Sequence, residues 1–110
     1  MDETTRVLAK TAIRRARNLL SDPKRWTKGS DAQKAFTREA IDPKNPEACQ
    51  WCLRGALKAV ALNGDYGPAS TAVLDVLNER GFKSIPGFND SYNTKHSDVL
   101  RVLDEADARL

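Results

Sequence analysis

Residues 46–62, PEACQWCLRGALKAVAL, are apolar around most of a helical circumference, which restricts the folds open to this chain more than any other feature. Cys49, Cys52, Leu53, Ala56, Leu57 and Val60 follow the i, i+3, i+4, i+7, i+8, i+11 spacing of one helical face, and Ala48, Trp51, Gly55, Ala59 and Leu62 cover a second. Gln50, Arg54 and Lys58 alone form a polar stripe. A helix with two apolar faces must be enclosed by other elements. We therefore read 47–62 as the central helix, with Asn45 as its cap and Pro46 at its first position. Gly55 and Ala56 should let a neighbouring helix approach closely.

Three further segments supply the enclosure. Residues 4–20 read as a helix with Val7 or Leu8, Ala12, Ile13, Ala16, Leu19 and Leu20 inward and Arg6, Lys10, Arg14 and Arg17 outward; Pro23 ends it, because the residue before proline avoids helical geometry. Residues 68–80 form a third helix stopped by Gly81 after a turn at NGDYGP, and residues 95–109 a fourth, capped by Thr94 or Asn93. Residues 23–45 lack a clean period. Ser30 caps a short helix over 31–38 there, or the segment is irregular, with Trp26 and Phe36 anchoring it to the core. Residues 82–93 read as a loop held by Ile85 and Phe88. The fold class is all-α: one domain of about four helices spanning residues 1–110.

At 110 residues and 40% hydrophobic content, the chain can bury a core without metal or disulfides. It has no apolar run of the roughly 20 residues needed to cross a membrane, and its charged N-terminus lacks the apolar centre of a signal peptide. We expect a soluble cytoplasmic protein with reduced cysteines. Charge is uneven: residues 1–40 carry ten Lys/Arg against five Asp/Glu. Arg6, Lys10, Arg14, Arg15, Arg17, Lys24, Arg25 and Lys28 make up a basic set suited to an anionic partner.

Taken together, DPKRW (22–26), WCLRGAL (51–57), FND (88–90) and Thr94 followed by DVLRVLDEA (98–106) resemble a family of small bacterial and phage proteins classed as a domain of unknown function. The resemblance spans most of the chain and implies a helical fold, with no activity attached. Such sequences usually carry Trp where Phe88 stands, and often a Gly in the region of Arg38 to Ala40.

Chemistry-bearing residues are few. Cys49 and Cys52 make a Cys-x-x-Cys at a helix start, a position that lowers thiol pKa, but the spacing also puts both sulfurs on the inner face as small hydrophobes. Zinc would need two more ligands from His96 and a carboxylate such as Asp90 or Asp98, so no metal or cofactor is expected. His96, the sole histidine, lies in the first turn of the last helix, where the dipole favours neutral imidazole. Asn89, Asp90 and Ser91 between Phe88 and Tyr92 suit a turn or the wall of a pocket. Asp90 is also a candidate acceptor for the indole of Trp26 or Trp51. The candidate ligand or partner pocket is Trp26, Trp51, Cys52, Phe88, Asn89, Asp90, Tyr92 and His96.

No phosphate loop, spaced acidic pair or nucleophile with its base is legible. The leading expectation is a non-enzymatic protein-binding module, a phage or mobile-element accessory protein acting on a host or phage protein. A nucleic-acid-associated protein using the basic face of the first helix is the alternative, and a small enzyme or ligand binder using Cys52, His96 and Asp90 is the third.

Overall fold

The computed structural model describes residues 1–62 and 64–110. Five α-helices, α1 (Glu3–Leu19), α2 (Leu53–Val60), α3 (Tyr66–Glu79), α4 (Ile85–Asn89) and α5 (His96–Arg109), enclose one core among these residues, alongside two short strands, β1 (Ala32–Lys34) and β2 (Ala48–Trp51). The chain is thus mostly helical but not all-α.

The centre of the packing is α1, which lies against α2, α3 and α5. Its small residues make this possible: Ala9, Ala12 and Ala16 are buried with Ile13 and Leu20, so three neighbours can approach one helix. Ala9, rather than Val7 or Leu8, begins the buried stripe; Val7 and Leu8 are 47% and 40% exposed. Val73, Val76 and Leu77 of α3 and Val99, Val102 and Leu103 of α5 complete the core, all at 0% exposure.

The basic face of α1, expected as a surface for an anionic partner, makes ion pairs with α5 while Arg14 stays 64% and Arg17 42% exposed. Because the two helices run antiparallel, Arg17 reaches Asp104 (3.0 Å), Lys10 and Arg14 share Asp107 (2.9 and 3.0 Å), and Arg6 pairs with Glu3 while donating to the Leu110 carbonyl at 2.8 Å. Exposed pairs of this kind contribute about 0–1 kcal/mol each and chiefly fix helix register.

The expected helix over 47–62 begins six residues late, and the reason is tertiary. Asn45 Oδ1 accepts the Glu47 N–H at 2.9 Å and the Asn45 carbonyl accepts that of Ala48 at 3.0 Å, so Asn45 and Pro46 shape a tight turn rather than a helix start. The chain then extends as β2, antiparallel to β1, with Ala32 opposite Trp51, Gln33 opposite Gln50 and Lys34 opposite Ala48. Cys49 is the extra residue of the resulting bulge and points to solvent, away from Cys52. Isolated bridges extend the ribbon on both sides, Ala40 beside Gln33 and Trp26 beside Trp51. The segment 31–38 therefore holds a strand, not a helix. Ser30 caps nothing, and its buried Oγ has no hydrogen-bond partner among the described residues.

Two other boundaries shift. Residues 85–89 are helical, with Ser84 Oγ accepting the Gly87 N–H at 3.0 Å and Pro86 in the first turn, where its missing N–H costs nothing. Helix α5 starts at His96; Asp98 accepts the Lys95 N–H at 2.9 Å, and Thr94 instead donates its hydroxyl to the Phe88 carbonyl at 2.7 Å. Gly81 stops α3 as expected, at φ 88°, with Phe82 N–H on Leu77 O and Gly81 N–H on Asn78 O in a Schellman arrangement. In the expected NGDYGP turn, Asn63 lies outside the described residues, and α3 begins at Tyr66, ahead of Pro68. No helix of the described residues is long and apolar enough to cross a membrane.

Candidate functional site

Four of the eight residues expected to line a pocket, Trp26, Asn89, Asp90 and His96, gather where the first interhelical segment meets α4 and α5. Asn89 is fully buried, and its amide makes four hydrogen bonds. Oδ1 accepts from Trp26 Nε1 (2.7 Å) and from the Leu53 N–H (3.0 Å); Nδ2 donates to the Thr27 carbonyl and to Asp90 Oδ1, both at 3.0 Å. Two donors and two acceptors surround the amide, so only this orientation satisfies them all. The Leu53 N–H is one of the unpaired donors at the start of α2, and Asn89 caps that helix from 36 residues away. Asp90 does not receive an indole N–H. It holds the Gly29 N–H at 3.0 Å, while Trp51 Nε1 donates to the Pro43 carbonyl at 3.0 Å.

His96 closes the same corner. Its Nε2 lies 2.5 Å from the Leu20 carbonyl, which can only accept, so Nε2 carries hydrogen and is not a base. The histidine thus satisfies a carbonyl at the end of α1 from the start of α5, and its ring lies 6.1 Å from that of Trp26. Lys28 spans the outside, with Nζ 5.5 Å from the Trp26 ring centroid and donating to Ser91 O at 2.7 Å. Phe88 faces the core and meets Phe82 edge to face at 5.1 Å, whereas Tyr92 is 96% exposed. Trp26, Asn89, Asp90 and His96 thus form a hydrogen-bonded lock between these segments.

A second polar cluster surrounds Asp31, a residue that no motif or spacing singled out. Its carboxylate accepts from Arg54 Nε at 2.9 Å and Lys58 Nζ at 3.0 Å, the stripe read as solvated, and Cys52 Sγ lies 3.5 Å away. Burial would raise the Asp31 pKa, but the hydrogen bonds and charges of Arg54 and Lys58 outweigh it and hold the carboxyl below its usual 3.8. Cys52 is the N-cap of α2, its sulfur accepting the Gly55 N–H at 3.3 Å. Burial, with the adjacent Asp31 charge adding to it, pushes the thiol up to about 11, which removes thiolate chemistry at neutral pH. A thiol in this state is packing and cap, not nucleophile.

The exposed chemistry lies at the far end of the ribbon. Phe36, expected as a core anchor, is wholly exposed at the tip between β1 and residues 39–41, with φ 63°; Arg38 beside it has φ 57°. Glycine takes this left-handed conformation without cost, whereas side chains with a Cβ adopt it rarely. A groove of about 510 Å³ flanks the tip, lined by Lys24, Ala35, Phe36, Arg38, Cys49 and Gln50. Of the expected basic set, Arg15, Lys24, Arg25 and Lys28 make no ion pair among the described residues; neither does Arg38. A larger groove, about 810 Å³, lies between residues 40–44 and the Lys58 side of α2, where Lys58 approaches the Tyr66 ring at 6.0 Å and Lys44 Nζ donates to Ala61 O at 3.0 Å.

These observations define a small helical domain with a β-ribbon pinned to its first turn of α2, its interior polar groups engaged in holding the segments together. The chain belongs to DUF6197, a family of unknown function whose model matches residues 4–109. No curated protein and no solved structure matches it.

Proposed function

We propose that this protein is a small non-enzymatic protein-binding module. The observation that carries the reading is Phe36: a wholly exposed aromatic side chain presented at a ribbon tip, next to the unpaired Arg38. Aromatic and Arg side chains are the groups that interface cores favour, and a large apolar side chain held in water gains by being covered. The same structure weakens the nucleic-acid alternative, since Lys10, Arg14 and Arg17 are engaged by Asp104 and Asp107. The phage or mobile-element setting is carried by the sequence resemblance.

Capture on the immobilised full chain from an extract of its host, with nucleic acid digested in a parallel sample, tests the reading. A defined protein should be retained in both samples and lost with Phe36→Ala. Direct titration of unrelated duplexes near physiological salt should show nothing tighter than about 10⁻⁵ M, the range of ordinary non-specific contact. Submicromolar, salt-sensitive duplex binding, or capture that disappears with nuclease, would replace this reading with the nucleic-acid one.

A further inference from the structure

We infer that the ribbon tip at residues 35–38 is a preformed plug that seats Phe36 in an apolar cleft rimmed by carboxylates on a partner protein. The inference rests on the protein-binding reading and names the partner's chemistry.

Three independent features meet at the tip. First, the backbone is held in shape before any partner arrives. The Lys34 N–H donates to Glu39 O at 2.9 Å and the Ile41 N–H to Ala32 O at 3.1 Å, so the return segment is laddered to β1, which is itself paired with β2. A plug fixed this way loses little conformational entropy on docking.

Second, two non-glycine residues, Phe36 and Arg38, stand in left-handed conformations that L side chains adopt only at a cost. The Thr37 N–H donates to Ala35 O at 2.7 Å across Phe36, but the wholly exposed ring gains no packing inside the domain. The strained turn presents the ring and the guanidinium together. An unstrained turn would need neither residue here.

Third, the charge around the tip is positive on balance. Lys34 holds both Glu39 and Glu47, at 3.3 and 3.6 Å, and Arg38 and Lys24, which make no ion pair among the described residues, tip the balance of these five charges to positive. Cations around an apolar knob are complementary to an apolar cleft edged by Asp and Glu, and they repel a basic one. A nucleic acid is a poorer match, because Lys10, Arg14 and Arg17 of the basic stripe are already paired with Asp107 and Asp104 of α5.

The test places a photo-crosslinking phenylalanine analogue at position 36 of the full chain in host cells, with a second probe at the exposed Asn78 on α3 as control. Position 36 should yield one discrete protein adduct, and the crosslinked partner peptide should carry more Asp and Glu than Lys and Arg. Arg38→Glu with Lys24→Glu should cut the yield by about tenfold or more, as loss of an interface anchor does. Phe36→Asn keeps the fold accessible to test, since Asn tolerates the left-handed backbone; it should melt no lower than the parent yet lose the partner. An adduct equally strong from position 78, a basic partner peptide, an adduct with a second copy of this chain, no adduct from position 36, or a yield indifferent to charge reversal would each overturn the plug. Capture that survives Phe36→Asn would sink the plug and leave the module reading standing, whereas capture abolished by nuclease would sink both.

Discussion

Replacing Gly55 by alanine sets two rules of protein stability against each other. In a helix interior the change ordinarily stabilises by about 1 kcal/mol, because glycine loses more backbone entropy on folding. Here a Cβ on Gly55 would lie 1.7 Å from the Asp31 carbonyl oxygen, where ordinary contact begins at 3.4 Å. The neighbour is backbone, not a side chain that can swing aside, and the same carbonyl accepts the Cys52 N–H at 3.2 Å. Moving it also disturbs the carboxylate that Arg54 and Lys58 grip. Overpacking of about 1–3 kcal/mol and a lost hydrogen bond of about 0.5–1.5 kcal/mol, less the propensity gain, leave a net loss of about 1–3 kcal/mol. For a domain near this size that is a fall in Tm of roughly 5–20 °C, read from a circular-dichroism melt. The control is Gly67→Ala in α3, where an added Cβ meets nothing within 4 Å; it should stabilise by up to about 1 kcal/mol. Should Gly55→Ala melt at or above the parent temperature, Asp31 does not lie over α2 as described, and the account of why α2 starts at Leu53 fails with it.

Asn89→Ala should cost about 2–5 kcal/mol in chemical denaturation, since it strands the Trp26 indole N–H and the Leu53 amide; a loss under about 1 kcal/mol would show water or another group taking its place. A thiol reagent on the native protein should label one cysteine quickly, Cys49, and reach Cys52 only on unfolding; Cys52→Ala should cost about 0.5–2 kcal/mol as a lost cap, and rapid double labelling would contradict the burial. Asp31 has a depressed carboxyl pKa, so its contribution is present above the unfolded value and is lost as pH falls through the folded one. An Asp31→Asn variant should therefore show a flatter loss of stability below about pH 4 than the parent, and parallel pH profiles would refute the pairing. Arg14→Glu with Arg17→Glu opposes like charges to Asp107 and Asp104 and should lower Tm, whereas surface charges without partners change stability by under about 0.5 kcal/mol; an unchanged melt would mean that α1 and α5 do not meet through these pairs.

The sequence by itself determined the long helices. Segments 4–20, 68–80 and 95–109 each carry enough consecutive turns for the 3.6-residue period, the proline stop and the Gly81 terminator to agree, and their buried residues follow the apolar stripe with a one-residue shift at Ala9. It also marked Trp26, Trp51, Cys52, Phe88, Asn89, Asp90, Tyr92 and His96 as a group, although not the lock that Trp26, Asn89, Asp90 and His96 form. Tertiary structure alone decided the rest. ACQW at 48–51 fits a helical face and an extended strand alike, and what selects the strand is pairing with residues 32–34 from another part of the chain. Cys52 then becomes a cap because Asn89 and Asp31 meet the new helix start there. The basic stripe of α1 looked free because Asp104 and Asp107 of α5, which pair with it, lie 87 or more residues away. Local periodicity reports what a segment can be. Contacts between segments distant in sequence choose among those options, because a few paired backbone groups outweigh the tenths of a kcal/mol by which helix and strand propensities differ over four residues.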